Sequence, residues 1–223
     1  MKLPFDGVEI LPKTRHRHSI IWLHGLGADG SDFEGIVPEL GLSELLGIHF
    51  VFPNAPVQAV TINGGMAMRA WYDIPDMAIE HNVDRRGIEQ SASLISQLIQ
   101  HEMDQGIAAE NILLAGFSQG GVMALHAGLL FPHKLAGILA LSCYLPTLEQ
   151  LKTKRSAANN STPILMAHGV LDPVVPLRAA KAAREGLTAL QYPVEWREYV
   201  MEHGLCLEEI KHISNFILTC FNA

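Results

Sequence analysis

The chain has 223 residues, of which 48% are hydrophobic and 17% charged, so it is long enough to bury a substantial core and too apolar to be disordered. Its formal net charge of −7 disfavours a nucleic-acid partner, because phosphate contacts need clustered Lys and Arg. No stretch reaches the roughly 18 uninterrupted apolar residues of a membrane span, and the first residues, "MKLPFDGVEILPK", lack the apolar run of a signal peptide.

The one basic cluster, Lys13 to His18, lies between two strand-like runs and reads as a solvated hairpin turn. Ser19–Leu23 is a predicted strand. The pattern over Ser31–Leu46 predicts a helix capped by Ser31 or Asp32. Ile48–Phe52 is a second strand, stopped by Pro53. Over Asp84–Gln105 the residues Ile88, Ala92, Ile95, Ile99 and Met103 fall on one helical face, and Gly106 ends the helix. A strand at Ile112–Ala115, a helix over Gln119–Leu130 and a strand at Ala136–Leu141 follow. Lys152–Thr162, "KTKRSAANNST", reads as a polar surface loop too short to divide domains. Beyond it come a strand at Ile164–Ala167, a helix over Leu177–Ala189, a strand at Val194–Tyr199 and a helix over Leu205–Phe221.

Strands that alternate with helices imply parallel pairing with right-handed crossovers. Runs such as "NILLAG" and "PILMAHG" are apolar on both faces, as expected when helices cover both sides of a sheet. The expectation is one α/β domain over residues 1–223. In such sheets chemistry gathers at the carboxyl ends of the strands. Cys143, Cys206 and Cys220 are odd in number and widely spaced, which predicts free thiols in a reducing cytoplasm.

Gly116, Ser118 and Gly120 in "ILLAGFSQGG" spell G-x-S-x-G between a strand and a helix, the context of a nucleophile elbow. The alternative is a glycine-rich turn whose serine only caps the helix. A nucleophilic serine needs a base, and the base needs an acid that holds its tautomer. In chain order these follow as acid, then histidine. His126 and His133 lie in or just after the helix that follows Ser118, with no acid ahead of them at a strand end. His168 precedes the best acid, and His212 sits within the last helix. His203 follows the strand "VEWREYV" and is the predicted base. Asp172 is the only Asp between Ser118 and His203, in a loop stiffened by Pro173 and Pro176. Its rivals Glu149, Glu185, Glu195, Glu198 and Glu202 lie on helix or strand bodies, before a polar loop, or beside His203 itself. Taken singly, Asp172 could be a turn former and His203 a helix cap.

Gly25, Gly27 and Gly30 spell G-x-G-x-x-G, the spacing of a dinucleotide-binding turn. That reading needs an acid at the tip of the next strand, where this chain has Pro53 and Asn54. The alternative is an oxyanion loop. Acyl transfer needs two positioned N–H donors, one after the nucleophile and one from a glycine-rich loop after an early strand. Here those are Gln119 and Leu26. Met66, Met68, Trp71, Tyr144, Leu145 and Leu171 are apolar residues in loops near strand ends, and read either as walls of an acyl channel or as plain core.

These pieces, with "LHGLGADG", "PNAPVQAVTINGGMAMRAWYDI", "GFSQGG", "LAGILALSCYLP", "HGVLDPVVP" and "EHGL" in order, resemble the phospholipase/carboxylesterase family of α/β-hydrolases, which includes acyl-protein thioesterases. The resemblance implies an α/β-hydrolase fold without a large cap and a triad of Ser118, Asp172 and His203. It implies Leu26 and Gln119 as oxyanion donors and places the "AMRAWYD" segment beside the acyl pocket. Together with the apolar loop residues, this makes Met68, Trp71, Tyr144 and Leu171 the predicted substrate contacts. Arg69-Ala70 before Trp71 departs from the usual proline, and Tyr144 stands where many relatives have tryptophan.

The expected activity is hydrolysis of carboxylic esters or thioesters through an acyl-serine, with no cofactor and no metal. Expected substrates are small acyl esters or thioesters, lysophospholipids or acylated proteins; nucleic acid is excluded, and the chain is a monomer or homodimer. A ligand-binding protein on a hydrolase scaffold and an amide hydrolase remain as alternatives.

Overall fold

A computed structural model describes residues 6–76, 79 and 82–222. Seven strands form the main sheet. In chain order they are β1 (Gly7–Ile10), β2 (His18–Leu23), β3 (Ile48–Pro53), β6 (Ile112–Phe117), β7 (Gly137–Leu141), β8 (Ile164–Gly169) and β9 (Val194–Tyr199). A separate two-stranded hairpin, β4 (Val57–Val60) and β5 (Met66–Arg69), sits between β3 and the first long helix. The sheet order is β1-β3-β2-β6-β7-β8-β9. Every pair is parallel except β1 with β3, where Gly7 faces Pro53 and Ile10 faces Phe50.

Side chains alternate across this sheet, which explains why its strands are apolar throughout. Ile21, Leu23 and Leu114 join one core layer with Ile88, Ile95 and Ile99 of α3 (Arg85–Asp104) and Val122 and Leu125 of α4 (Gln119–Leu130). Ile20, Trp22, Leu113 and Leu165 point the other way, onto Ile213, Phe216 and Ile217 of α7 (Leu207–Cys220). Asp84 caps α3 by accepting the Gly87 N–H at 2.9 Å. No helix among the described residues is long and apolar enough to cross a membrane.

Three local expectations are corrected. The predicted helix over 31–46 is broken into α1 (Ser31–Glu34), α2 (Ile36–Glu39) and a 3-10 turn at Glu44–Leu46, because Gly35 separates the first two and Gly41, at φ +60°, ends the second. Neither Ser31 nor Asp32 caps it; the Asp29 carboxylate takes the Ser31 N–H at 2.8 Å. Lys13–His18 is not a hairpin turn, since β1 pairs with β3 rather than β2. Residues 152–162 are not simply an exposed loop: α5 (Leu148–Lys154) reaches into them, and Asn159 and Thr162 are fully buried. The Asn159 side chain donates to the carbonyls of Phe131 and His133 and accepts the Leu135 N–H, pinning the segment to the start of β7. The remaining helix, α6 (Leu177–Ala189), matches its predicted bounds.

Candidate active site

Ser118 stands between β6 and α4 with φ +55° and ψ −120°, a backbone conformation that L-residues rarely adopt. The turn is tight enough that a Cβ at Gly120 would sit 2.1 Å from the Leu23 carbonyl oxygen, and one at Gly116 equally close to that of Gly120. The Ser118 N–H donates to Leu141 O at 2.8 Å, tying the turn to the end of β7. Cys143 lies against the same turn, but it is buried and its thiol pKa is pushed up to about 12, so it is inert as a nucleophile.

The loops after β8 and β9 are bonded to each other. Val170 N–H donates to Tyr199 O at 2.9 Å and Leu171 N–H to Met201 O at 3.1 Å. This pairing brings Asp172 and His203 together. His203 Nδ1 donates to Asp172 Oδ2 at 2.7 Å, and that carboxylate is fully buried. Its other oxygen accepts the N–H groups of Val174 (2.8 Å) and Val175 (2.9 Å). A buried carboxylate with three donors is fixed in place and satisfied as an anion. His168 supports the loop from beneath: its Nε2 donates to Val175 O at 2.9 Å and lies 3.4 Å from Asp172 Oδ2. Burial lowers the His168 pKa, which keeps that ring neutral beside the acid.

With Nδ1–H committed to Asp172, Nε2 of His203 is the proton-accepting nitrogen. The His203 ring packs on Phe117, the residue before Ser118, with centroids 4.7 Å apart. Ser118 and His203 line one cleft of about 520 Å³, whose apolar walls include Leu26, Phe33, Phe117, Val174 and Leu205.

The glycine loop lines the same cleft, with Gly25 close enough that a Cβ there would sit 3.4 Å from Ser118 Cβ. His24 Nδ1 donates to the Gly25 carbonyl at 2.7 Å, and its Nε2 accepts the Ala55 N–H at 2.9 Å. Burial lowers the His24 pKa and so preserves this neutral tautomer. In a trans peptide the carbonyl and the next N–H point opposite ways. Holding the Gly25 carbonyl on His24 therefore fixes the direction of the Leu26 N–H. Gly27, at φ +77°, then donates to Arg69 O at 2.8 Å and anchors the loop on β5. Among the described residues, neither the Leu26 N–H nor the Gln119 N–H has a hydrogen-bond acceptor.

Sequence reasoning named Ser118, His203, Asp172 and Leu26 here but not Phe33, Phe117, Val174 and Leu205 of the apolar wall. Of the four predicted substrate contacts, none lines the cleft that holds Ser118 and His203. Met68 lies against the glycine loop, 3.7 Å from where a Gly27 Cβ would be. Trp71 is 2% exposed, donates through Nε1 to His24 O at 2.9 Å and borders a different cavity of about 450 Å³. Tyr144 is buried, its hydroxyl 3.1 Å from that of Tyr72. Leu171 is 59% exposed. Phe117 and Val174 were visible only as neighbours of Ser118 and Asp172. The support role of His24 had no signal beyond its place before Gly25.

A parallel sheet that presents a strained serine at the end of a central strand, with a buried acid and a histidine on the loops after its last two strands, defines a serine hydrolase of the α/β-hydrolase class. The model of the phospholipase/carboxylesterase family matches residues 8–221, and the chain belongs to that family. It is 40% identical over 215 residues to acyl-protein thioesterase 1 of Neurospora crassa (92% of this chain, 87% of that one). It is 35% identical over 219 residues to the Yarrowia lipolytica protein of the same name (96% of each). The crystal structure of Arabidopsis thaliana SOBER1 superposes with a TM-score of 0.87 at 32% identity, covering 92% of this chain and 99% of that one. The chain is thus an ester- or thioester-cleaving hydrolase that works through an acyl-serine.

Proposed function

We propose that Ser118 is the nucleophile, His203 the general base and acid, and Asp172 the group that orients His203. His203 Nε2 takes the Ser118 proton as Oγ attacks the acyl carbonyl. The N–H groups of Leu26 and Gln119 receive the oxyanion. When the tetrahedral intermediate collapses, protonated His203 delivers its proton to an alcohol leaving group; a thiolate leaves with little help. Water, activated by the same imidazole, then releases the acid. Such acyl transfer needs no cofactor.

The observation that carries this reading is the cleft shared by Ser118 and His203, with the far side of the imidazole held 2.7 Å from a buried carboxylate. Its apolar walls suit an acyl chain. The relatives named as acyl-protein thioesterases support a thioester-linked acyl group as substrate. We place this activity in one domain in the cytoplasm, as a monomer or homodimer, a reading that rests on the three unpaired cysteines and the single run of core elements.

The test is a chain-length series of acyl thioesters matched to the corresponding esters. The expected result is that kcat/KM rises with chain length until the cleft is filled, with thioesters at least equal to esters. A protein that binds these compounds without turnover, or hydrolyses only amides, would overturn the proposal.

A further inference from the structure

At the end of the sheet opposite the cleft, a second group of polar side chains converges. Ser19 and His49 are partners across β2 and β3. Ser19 lies four residue steps before Leu23, or ~13 Å at a strand rise of ~3.3 Å per residue. Glu102, 2% exposed, reaches this point from the last turns of α3. Two donors gather on one of its oxygens: Ser19 Oγ lies 2.6 Å from Oε2 and His49 Nδ1 3.0 Å. His16 Nε2 is 3.6 Å from the same oxygen and 2.9 Å from Ser19 Oγ. His16 comes from the segment between β1 and β2, its ring edge-on to that of His49.

We infer that His16 Nε2, His49 Nδ1 and Glu102 Oε2 form a binding site for one borderline divalent cation of the zinc, cobalt or nickel kind. The donor atoms all lie within 4.8 Å of one another. The Glu102 oxygen is 3.0 and 3.6 Å from the two nitrogens, which brackets the ~3.3 Å separation of ligands around a tetrahedral ion with bonds of about 2.0–2.1 Å. Two imidazoles and a carboxylate suit these metals, whereas Mg²⁺ and Ca²⁺ prefer all-oxygen shells.

The surroundings are those of a metal-binding histidine. Glu9 Oε2 holds His49 Nε2 at 3.1 Å, leaving Nδ1 as the inward nitrogen; a carboxylate on the far side of a ligating imidazole orients it and raises its basicity. Ser19 Oγ bridges two of the three ligands, donating to Glu102 Oε2 at 2.6 Å and lying 2.9 Å from His16 Nε2, so His16 would exchange that contact for the ion. Charge also balances. Glu9 and Glu102 bring two negative charges, which one imidazolium only half offsets and a dication offsets fully. His16, with a quarter of its side chain exposed, gives the ion a way in. The ion would join the β1–β2 connection, β3 and α3, so it acts on stability rather than on turnover.

Chelator-treated protein titrated with Co²⁺ near neutral pH should bind one equivalent and show the visible absorption of a four-coordinate ion. Zn²⁺ at about a hundred times its Kd should raise Tm by ~5 °C or more. Glu102→Gln should abolish binding. Because Glu102 is buried and that variant can unfold, His16→Ala at the part-exposed ring keeps the test open: it should stay folded, retain ester hydrolysis, and bind Co²⁺ at least about tenfold more weakly. Folded wild-type protein that gives no Co²⁺ absorption, or a His16→Ala variant of unchanged affinity, would overturn the site.

Discussion

The side chain of Gln119 is bonded to the main chain on both sides of Trp71: its Oε1 accepts the Trp71 N–H at 2.7 Å, and its Nε2 donates to Tyr72 O at 2.7 Å. Trp71 Nε1 in turn donates to His24 O, and His24 Nδ1 to Gly25 O. One chain of hydrogen bonds therefore runs from the residue after the serine back to the glycine loop. The two candidate oxyanion donors, Leu26 and Gln119, are positioned relative to each other by a buried side-chain network rather than by the sheet alone.

Removing that side chain leaves two buried main-chain groups unpaired at ~1–3 kcal/mol each. Gln119→Ala should lose about 2–6 kcal/mol of stability, read as a lower urea midpoint. Its kcat should fall more than its KM rises, because the Gln119 N–H remains while its partner loop loosens. Stability equal to wild type would show that the network carries no weight.

Asp172→Asn should leave the fold intact and cut kcat by about 10⁴, since an amide can donate to Nδ1 and so favour the wrong tautomer of His203. Its Oδ1 can still accept the N–H groups of Val174 and Val175, which keeps the loop in place. Steady-state kinetics beside a circular-dichroism melt separates loss of orientation from loss of fold. A kcat within tenfold of wild type would remove Asp172 from the proposed triad.

Glu209 is fully buried in α7, and burial raises its pKa from 4.5 to about 8. The folded state thus keeps a proton that the unfolded state gives up above its ordinary carboxyl range. Stability from this group is complete below about pH 4.5 and is lost as pH rises towards 8. Glu209→Gln should melt higher than wild type at pH 8, by the equivalent of a few kcal/mol, and at nearly the same temperature at pH 4. His126 acts in the opposite direction. Burial lowers its pKa from 6.5 to about 4, so its contribution is lost as pH falls through that window. Melting curves across pH 4–8 for wild type and Glu209→Gln check both signs.

The sheet and its long helices were legible because their patterns are strong and uninterrupted. The helices at Gln119–Leu130 and Leu177–Ala189 and the strand at Val194–Tyr199 fall where periodicity put them. What failed was local. Ser31–Leu46 carries helical spacing, but Gly35 and Gly41 break it, and only the packing of Ile36 and Leu40 beneath the sheet settles how. Asn159 and Thr162 read as loop residues because their burial depends on carbonyls more than 25 residues away. The β4–β5 hairpin was not foreseen, since Val57 and Met66 are exposed and no core face marks it. At the site, Ser118, Asp172 and His203 could be named from order and strand-end placement. The apolar walls could not, because which hydrophobic side chain faces a cleft is decided by loop geometry that spacing does not encode.

The most direct test of the whole account is intact-mass and peptide mass spectrometry after treatment with a fluorophosphonate. The account predicts one covalent adduct per chain, located on Ser118, with complete loss of esterase and thioesterase activity and no adduct on a folded Ser118→Ala variant. Undiminished turnover by Ser118→Ala, or an adduct on another residue that alone abolishes activity, would contradict it.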